Sequence, residues 1–175
     1  MYFNPLQMSL AGNAFERAEK LAGRYFRLST EAMKDHHYDV KTLAYLDKHE
    51  VDDRVFAQLC KYHYTKNDEP ELKKEGMHFY RICLQDNRIL DAVERAGSFI
   101  RLTPLMLYIA AHELVHVIRF DRDHIDFNAS REEKQQEEEK VDGITRDMLR
   151  SVDNPDLNLV LECFSNRYKI GDFCQ

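Results

Sequence analysis

Residues 108–120, YIAAHELVHVIRF, place two histidines and a glutamate within a long apolar run. His112 and His116 are four positions apart, so on a helix both imidazoles lie on one face about one turn from each other. Two imidazoles in that arrangement can bind one small cation. Glu113 completes the HExxH pattern, and its carboxylate would lie beside the cation, where it can take a proton from water and pass it to a leaving group. The pattern therefore predicts a metal site with hydrolytic chemistry.

A catalytic zinc ion needs a third protein ligand and one open coordination position. The glutamate-rich run REEKQQEEEK, which follows the motif, contains the candidates. If this run is helical, the buried stripe of the following residues extends backward by one turn to Glu137 and Glu138. Glu138 is preferred because Asp142 follows it one turn later, and a carboxylate there could accept the free N–H of a liganding histidine. Glu137 stays open as the alternative, since it fits the stripe slightly better.

Two helices are expected to carry these residues. Thr103 followed by Pro104 is a typical helix start, so a helix should extend from Pro104 to about Phe120. This helix is apolar on nearly every side, which is typical of a helix in the middle of a fold. Ser130 and Glu133 form a capping-box pattern, so a second helix should begin there and extend to about residue 150.

The remainder of the chain also favours helices, because six Gly and four Pro are few interruptions for 175 residues. Segments 77–84 and 98–102 are the strand candidates and would form a small antiparallel sheet. The expected fold is mainly α, or α+β at most, with the HExxH helix packed centrally among several helices. The further predicted helical segments are 10–33, 49–64, 66–76 (after a turn and ending at Gly76), 86–97 (ending at Gly97) and 157–168.

The bulk composition restricts the class of protein. A formal net charge of −6 argues against a nucleic-acid-binding protein. No apolar run reaches the length of a membrane span, and the N-terminal residues lack the pattern of a signal peptide. Four scattered cysteines without a CxxC pair are typical of reduced thiols. The sequence thus predicts a cytoplasmic protein with a single domain over 1–175 and a metal-site core over 103–150, and with no nucleic-acid or membrane partner.

HExxH on one helix, with Glu138 and Asp142 as Glu-x-x-x-Asp on a later helix, resembles the gluzincin class of zinc metallopeptidases. The short spacing is most similar to the minimal members of that class, such as the ImmA/IrrE-type domains. The resemblance implies that His112, His116 and Glu138 bind one Zn²⁺ ion per chain. It also implies that Glu113 is the general base and that Asp142 orients a ligand.

The resemblance covers about residues 103–150 and implies a zinc-dependent hydrolase, a metallopeptidase, that acts on a peptide or protein substrate. Val115 and Gly143 depart from the pattern, because small zincins often have Gly before the second histidine and an Ala-rich continuation after the ligand glutamate. Such enzymes align an extended peptide along a strand edge, so 77–84 or 98–102 could bind substrate by β-addition. His124 and Tyr168 are candidates, on position alone, for a donor that stabilises the transition state.

Two other classes of protein remain open. The first is a metal-binding or regulatory protein that has a zincin-like fold and does not turn over a substrate. The second is a di-iron carboxylate helix bundle, in which Glu75 and His78 would form one Glu-x-x-His pair and Glu113 and His116 the other. A di-iron site needs each pair on a helix, but Gly76 and the strand-like HFYRI make a helix at the first pair unfavourable. The di-iron arrangement also leaves the first histidine of HExxH without a role.

Overall fold

The structure, a computed structural model, describes residues 1–64 and 77–164. This part of the chain is mainly helical and contains one small mixed sheet, which confirms the mainly α class. No helix in the described ranges combines the length and apolar character that crossing a membrane requires. The helices are α1 (Pro5–Tyr25), α2 (Thr30–Lys34), α3 (Asp86–Ala96), α4 (Leu102–Asp121), α5 (Arg131–Leu149) and α6 (Pro155–Cys163), and the strands are β1 (Tyr38–Lys41), β2 (Ala57–His63) and β3 (His78–Leu84).

Helix α4 contains the HExxH residues and is buried at every position from Pro104 to Ile118. It packs against α1, α3, α5, α6 and β2. The helix begins at Leu102, earlier than expected, and Arg101 rather than Thr103 is its N-cap residue. Pro104 is tolerated there because the N–H that it lacks would have no helical partner in the first turn. Each fully buried aliphatic side chain of α4 contributes about 1.5–3 kcal/mol to stability.

Helices α1 and α5 hold α4 on two sides. The face of α1 that is buried carries Ala11, Ala14, Ala18 and Ala22, whose small side chains permit a close approach to α4. Helix α5 begins with the expected capping box, in which Ser130 accepts from the Glu133 backbone and the Glu133 side chain accepts from the Ser130 backbone N–H. The capping box fixes where α5 starts.

The predicted helix over 10–33 is instead two helices, α1 and α2. The chain turns between them at Arg27, whose φ of 54° is incompatible with a right-handed helix. The Ser29 side chain then accepts the Ala32 N–H and caps α2. The predictions of α3 with Gly97 at its C-cap and of α6 are confirmed within the described residues, whereas 66–76 lies outside them.

The strand order of the sheet is β1-β3-β2, with β1 parallel and β2 antiparallel to β3. The predicted strand over 77–84 is confirmed as β3, but the sheet is mixed rather than antiparallel. Since β3 is the middle strand, it has no free edge, and the prediction that it adds a substrate peptide is wrong. The strand predicted over 98–102 is also wrong, because this segment turns into α4 and only Ile100 is buried between its exposed neighbours.

The helix predicted over 49–64 is wrong, because Ala57–His63 forms β2. Leu59 pairs with Ile82 on the side of the sheet that faces the core, while Tyr62 stacks on Phe79 on the opposite side. Apolar residues therefore occur on both faces of this half-buried strand, and their combined spacing imitates the period of a helix.

Candidate metal centre

Three side chains converge between α4 and α5. His112 and His116 come from α4 and Glu138 comes from α5, and one ligand atom from each lies within 4.8 Å of the others. The distance from His116 Nε2 to Glu138 Oε1 is 3.0 Å, and the distance from His112 Nε2 to Glu138 Oε2 is 3.5 Å. This triad (His112, His116 and Glu138) could hold one metal ion.

The hydrogen bonding of His112 fits a cation. His112 Nε2, which faces Glu138, is buried and has no hydrogen-bond partner among the described residues. His116 Nδ1 is also buried without a partner there, but it is the ring nitrogen that does not contact Glu138. Two carboxylate oxygens nevertheless approach His112 Nε2, one from Glu138 at 3.5 Å and one from Asp142 at 3.1 Å, the latter off the line of a hydrogen bond. A buried polar atom without a partner costs about 1–3 kcal/mol. A metal ion between the nitrogen and the carboxylates would remove that cost.

The electrostatics of the triad favour positive charge. Burial by itself lowers the pKa of His112, but the Asp142, Glu113 and Glu138 carboxylates outweigh burial and raise the pKa to about 10. Burial by itself raises the pKa of Glu138, but His116 and His112 outweigh burial and lower the pKa to about 2. A metal ion would compete with the proton for the same nitrogen, since only neutral imidazole binds a metal.

Glu113 lies on the other side of His112, with its Oε1 3.4 Å from Nδ1. In the neutral imidazole, the form that binds a metal, a carboxylate in that position favours a proton on Nδ1 and leaves the Nε2 lone pair directed toward the triad. From sequence, Asp142 was expected at the free N–H of a liganding histidine. The structure places Asp142 at the nitrogen that faces Glu138, and Glu113 at the outer nitrogen.

Tyr108 supports Asp142. Its hydroxyl donates to Asp142 Oδ1 at 3.3 Å, its side chain is buried, and its ring stacks on Phe164 with the centroids 5.3 Å apart. Sequence reasoning missed Tyr108. The signal was available, because Tyr108 precedes His112 by one helical turn and so shares its face of α4.

Glu137 and Glu138 have separate partners. Glu137 is only 3% exposed and forms a bidentate ion pair with Arg119, in which Nη2 donates to Oε2 at 3.1 Å and Nε donates to Oε1. Arg119 lies about one turn after His116 on α4, so the pair joins α4 and α5 at the level of the triad. Because Arg119 already holds Glu137, only Glu138 of the two glutamates reaches the histidines.

The other residues predicted from sequence lie away from the triad or outside the described ranges. His124 is exposed in the turn after α4, and its backbone N–H donates to the Arg119 carbonyl at 3.0 Å. His78 Nε2 contacts Asp121 Oδ1 at 2.8 Å, at the end of α4. Tyr168 and Glu75 lie outside the described residues.

Solvent can reach the triad from the side of α5, because the Glu138 side chain is 54% exposed. On α4, Phe120 stacks on His116 with the ring centroids 6.0 Å apart and closes the opposite end of the histidine pair. A large cavity of about 1060 Å³ lies elsewhere, between α1, α2 and β1, and no triad residue lines it. The triad is therefore a solvent-accessible site that is separate from this cavity.

Comparison of the chain with known protein families, with curated proteins and with solved structures finds no match.

Proposed function

We propose that this protein is a zinc-dependent metallopeptidase. The observation that carries the proposal is the convergence of two imidazole nitrogens and one carboxylate within 4.8 Å, with His112 Nε2 buried and without a hydrogen bond in the described part of the chain. Two histidines and one glutamate are the ligand set of one class of catalytic zinc sites, which keeps a fourth position for water or substrate.

In this proposal His112, His116 and Glu138 bind the ion. A zinc ion held by these residues would lower the pKa of water toward neutrality and polarise the carbonyl that is attacked. Glu113 accepts the proton of the attacking water and passes it to the leaving amine, which is the role of the glutamate in HExxH. Its contact with His112 Nδ1 at 3.4 Å is long for a hydrogen bond, so rotation of the carboxylate toward the substrate breaks little.

The free edge of β2 supports a peptide as the substrate. Among the described residues β2 pairs only with β3, so its outer N–H and C=O groups are available to an extended chain. β2 also lies beside α4, the helix of both histidines. Phe56, just before β2, contacts Phe164, which stacks on Tyr108, one turn before His112. Lys61 of β2 pairs with Tyr80, which stacks on Phe120, one turn after His116. We therefore expect an extended peptide on this edge to pass near the triad, a role that neither 77–84 nor 98–102 can fill.

The test is hydrolysis of a synthetic random peptide pool by protein loaded with zinc, with cleavage products read by mass spectrometry. Cleavage should stop when a chelator removes the metal. Glu113→Gln should retain the zinc and lower turnover by about 100-fold or more, because the proton acceptor is lost while every metal ligand remains. Turnover that survives this substitution would contradict the role of Glu113.

A second candidate function is metal binding without turnover. The position of Glu113 favours it, because this carboxylate lies at His112 Nδ1 and not on the triad side of the ring. In that case the zinc-loaded protein should cleave no member of the peptide pool, and Glu113→Gln should alter only metal affinity. Cleavage by the unaltered protein would exclude this second function.

A further inference from the structure

A cluster of aromatic rings continues outward from the metal ligand His116. Phe120 stacks on His116 with the ring planes inclined by 18°, and Tyr80 of β3 stacks on Phe120 at 6.0 Å. Phe127, from the turn before α5, contacts both, at 5.1 Å from Phe120 and 6.1 Å from Tyr80. The aromatic cluster, defined as Tyr80, Phe120 and Phe127, thus begins one helical turn from the triad.

Two lysines stand over this cluster. Lys61 Nζ of β2 lies 5.8 Å from the centroid of Tyr80, and Lys134 Nζ of α5 lies 5.7 Å from the centroid of Phe127. The stems of lysine side chains can cover apolar surface while the ammonium groups stay in water. Lys61 belongs to β2, the strand with the free edge, and Lys134 belongs to α5, the helix that carries Glu138.

Neither ammonium group forms an ion pair within residues 1–64 and 77–164. Three acidic side chains of α4 and α5 pair with other residues and not with the lysines. Glu138 contacts His116, Glu137 is held by Arg119, and Asp121 accepts from His36 and His78. The Asp123 carboxylate also helps to raise the pKa of Tyr80, but it forms no ion pair with either lysine in the described residues. Both ammonium groups can therefore pair with an anionic group from outside the chain.

We propose that Lys61 and Lys134 form a subsite for an acidic side chain, Asp or Glu, of the peptide substrate. The inference rests on the proposed peptidase function and names its substrate class. Lys61 lies opposite Tyr80 in the pairing of β2 with β3, so a peptide added to the free edge of β2 would pass beside Lys61. A carboxylate of that peptide on the same face of the sheet would reach the ammonium groups that lie over the Tyr80 and Phe127 rings. Two exposed ion pairs together correspond to a preference of about tenfold in kcat/KM.

The test uses the random peptide pool with zinc-loaded protein and compares the residues that flank each cleaved bond. Asp and Glu should be enriched about tenfold at one flanking position, and the enrichment should shrink at roughly 1 M salt, where the Debye length is about 3 Å. The Lys61→Gln/Lys134→Gln variant should lose the enrichment, and Lys61→Glu/Lys134→Glu should replace it with enrichment of Lys and Arg. Lys140→Gln, an exposed lysine on the same helix, is the matched control and should change nothing.

Cleavage without an acidic preference would overturn the subsite and leave the peptidase standing. If the unaltered protein cleaves nothing, binding of the pool to zinc-loaded protein still tests the subsite, because retention of acidic peptides should depend on the two lysines. Absence of such retention overturns the subsite as well. Because neither ammonium group forms an ion pair in the described part of the chain and each contacts only one ring, the Gln variants should stay folded and lower the thermal midpoint by only a few degrees, and circular dichroism checks this.

Discussion

Replacement of Arg119 by Met removes the cation that neutralises the buried Glu137 carboxylate. The two side chains are only 13% and 4% exposed, and both guanidinium nitrogens in the pair donate to the carboxylate. Removing one partner of a buried ion pair leaves the other charge desolvated and uncompensated, which costs about 3–5 kcal/mol. This is a large share of the 5–15 kcal/mol that is typical for unfolding of a whole domain.

Urea unfolding followed by circular dichroism measures this loss. Arg119→Met should lower the free energy of unfolding by about 3–5 kcal/mol, whereas Arg119→Met/Glu137→Leu should recover much of it, because an apolar pair leaves no buried charge. Arg150→Ala is the matched control, since the ion pair of Arg150 with Asp147 is 72% and 55% exposed. It should cost no more than about 1 kcal/mol.

The same ion pair affects the triad, since Glu137 and Glu138 are adjacent on α5. Without Arg119, the first turns of α5 can move relative to α4, and Glu138 moves with them. Zinc affinity in Arg119→Met should therefore fall by about 10-fold or more, the loss that is typical when a residue supporting a metal ligand is replaced. A single variant that is destabilised by less than about 1 kcal/mol, or a double variant no more stable than the single one, would refute the reasoning.

Two further outcomes follow from other buried hydrogen bonds. Tyr108→Phe removes the hydroxyl that donates to Asp142 and should weaken zinc binding by about 10-fold, which a zinc competition titration measures. The free energy of unfolding, measured separately with urea, should change little. Burial by itself raises the pKa of Glu50, but hydrogen bonds from Tyr62, the Asp47 backbone and Arg81 outweigh burial and lower the pKa to about 2. Because the folded-state pKa is below the unfolded value, this stabilisation is complete above about pH 4.5 and is lost as the pH falls toward 2. Unfolding curves over this range should show about 3 kcal/mol more loss of stability in the unaltered protein than in Glu50→Gln.

Local signals explain what could be predicted from the sequence. The capping box at Ser130 and the uninterrupted apolar run of α4 each lie within one segment, so they identify helices without knowledge of the partner elements. The pairing of His112 with His116 is likewise local, because four positions always span about one helical turn.

The missed features depend on contacts between distant segments. Ala57–His63 is a strand because β3 supplies its hydrogen-bond partners, and β3 lies beyond residues 65–76. Glu137 and Glu138 differ by about 100° around α5, so the choice between them depends on how α5 is rotated against α4. The partner that holds Glu137 is Arg119, which no pattern within the glutamate-rich run could reveal.

Zinc content measured by mass spectrometry, together with a competition titration, tests the metal triad most directly. The unaltered protein should bind about one zinc ion per chain, as expected for a single site with three protein ligands. Glu138→Gln should lower zinc affinity by more than about 100-fold, because it removes a ligand rather than an outer partner. Glu139→Gln, an exposed neighbour on α5, should leave the affinity unchanged. Absence of zinc binding, two iron ions per chain, or zinc affinity retained in Glu138→Gln would contradict the account.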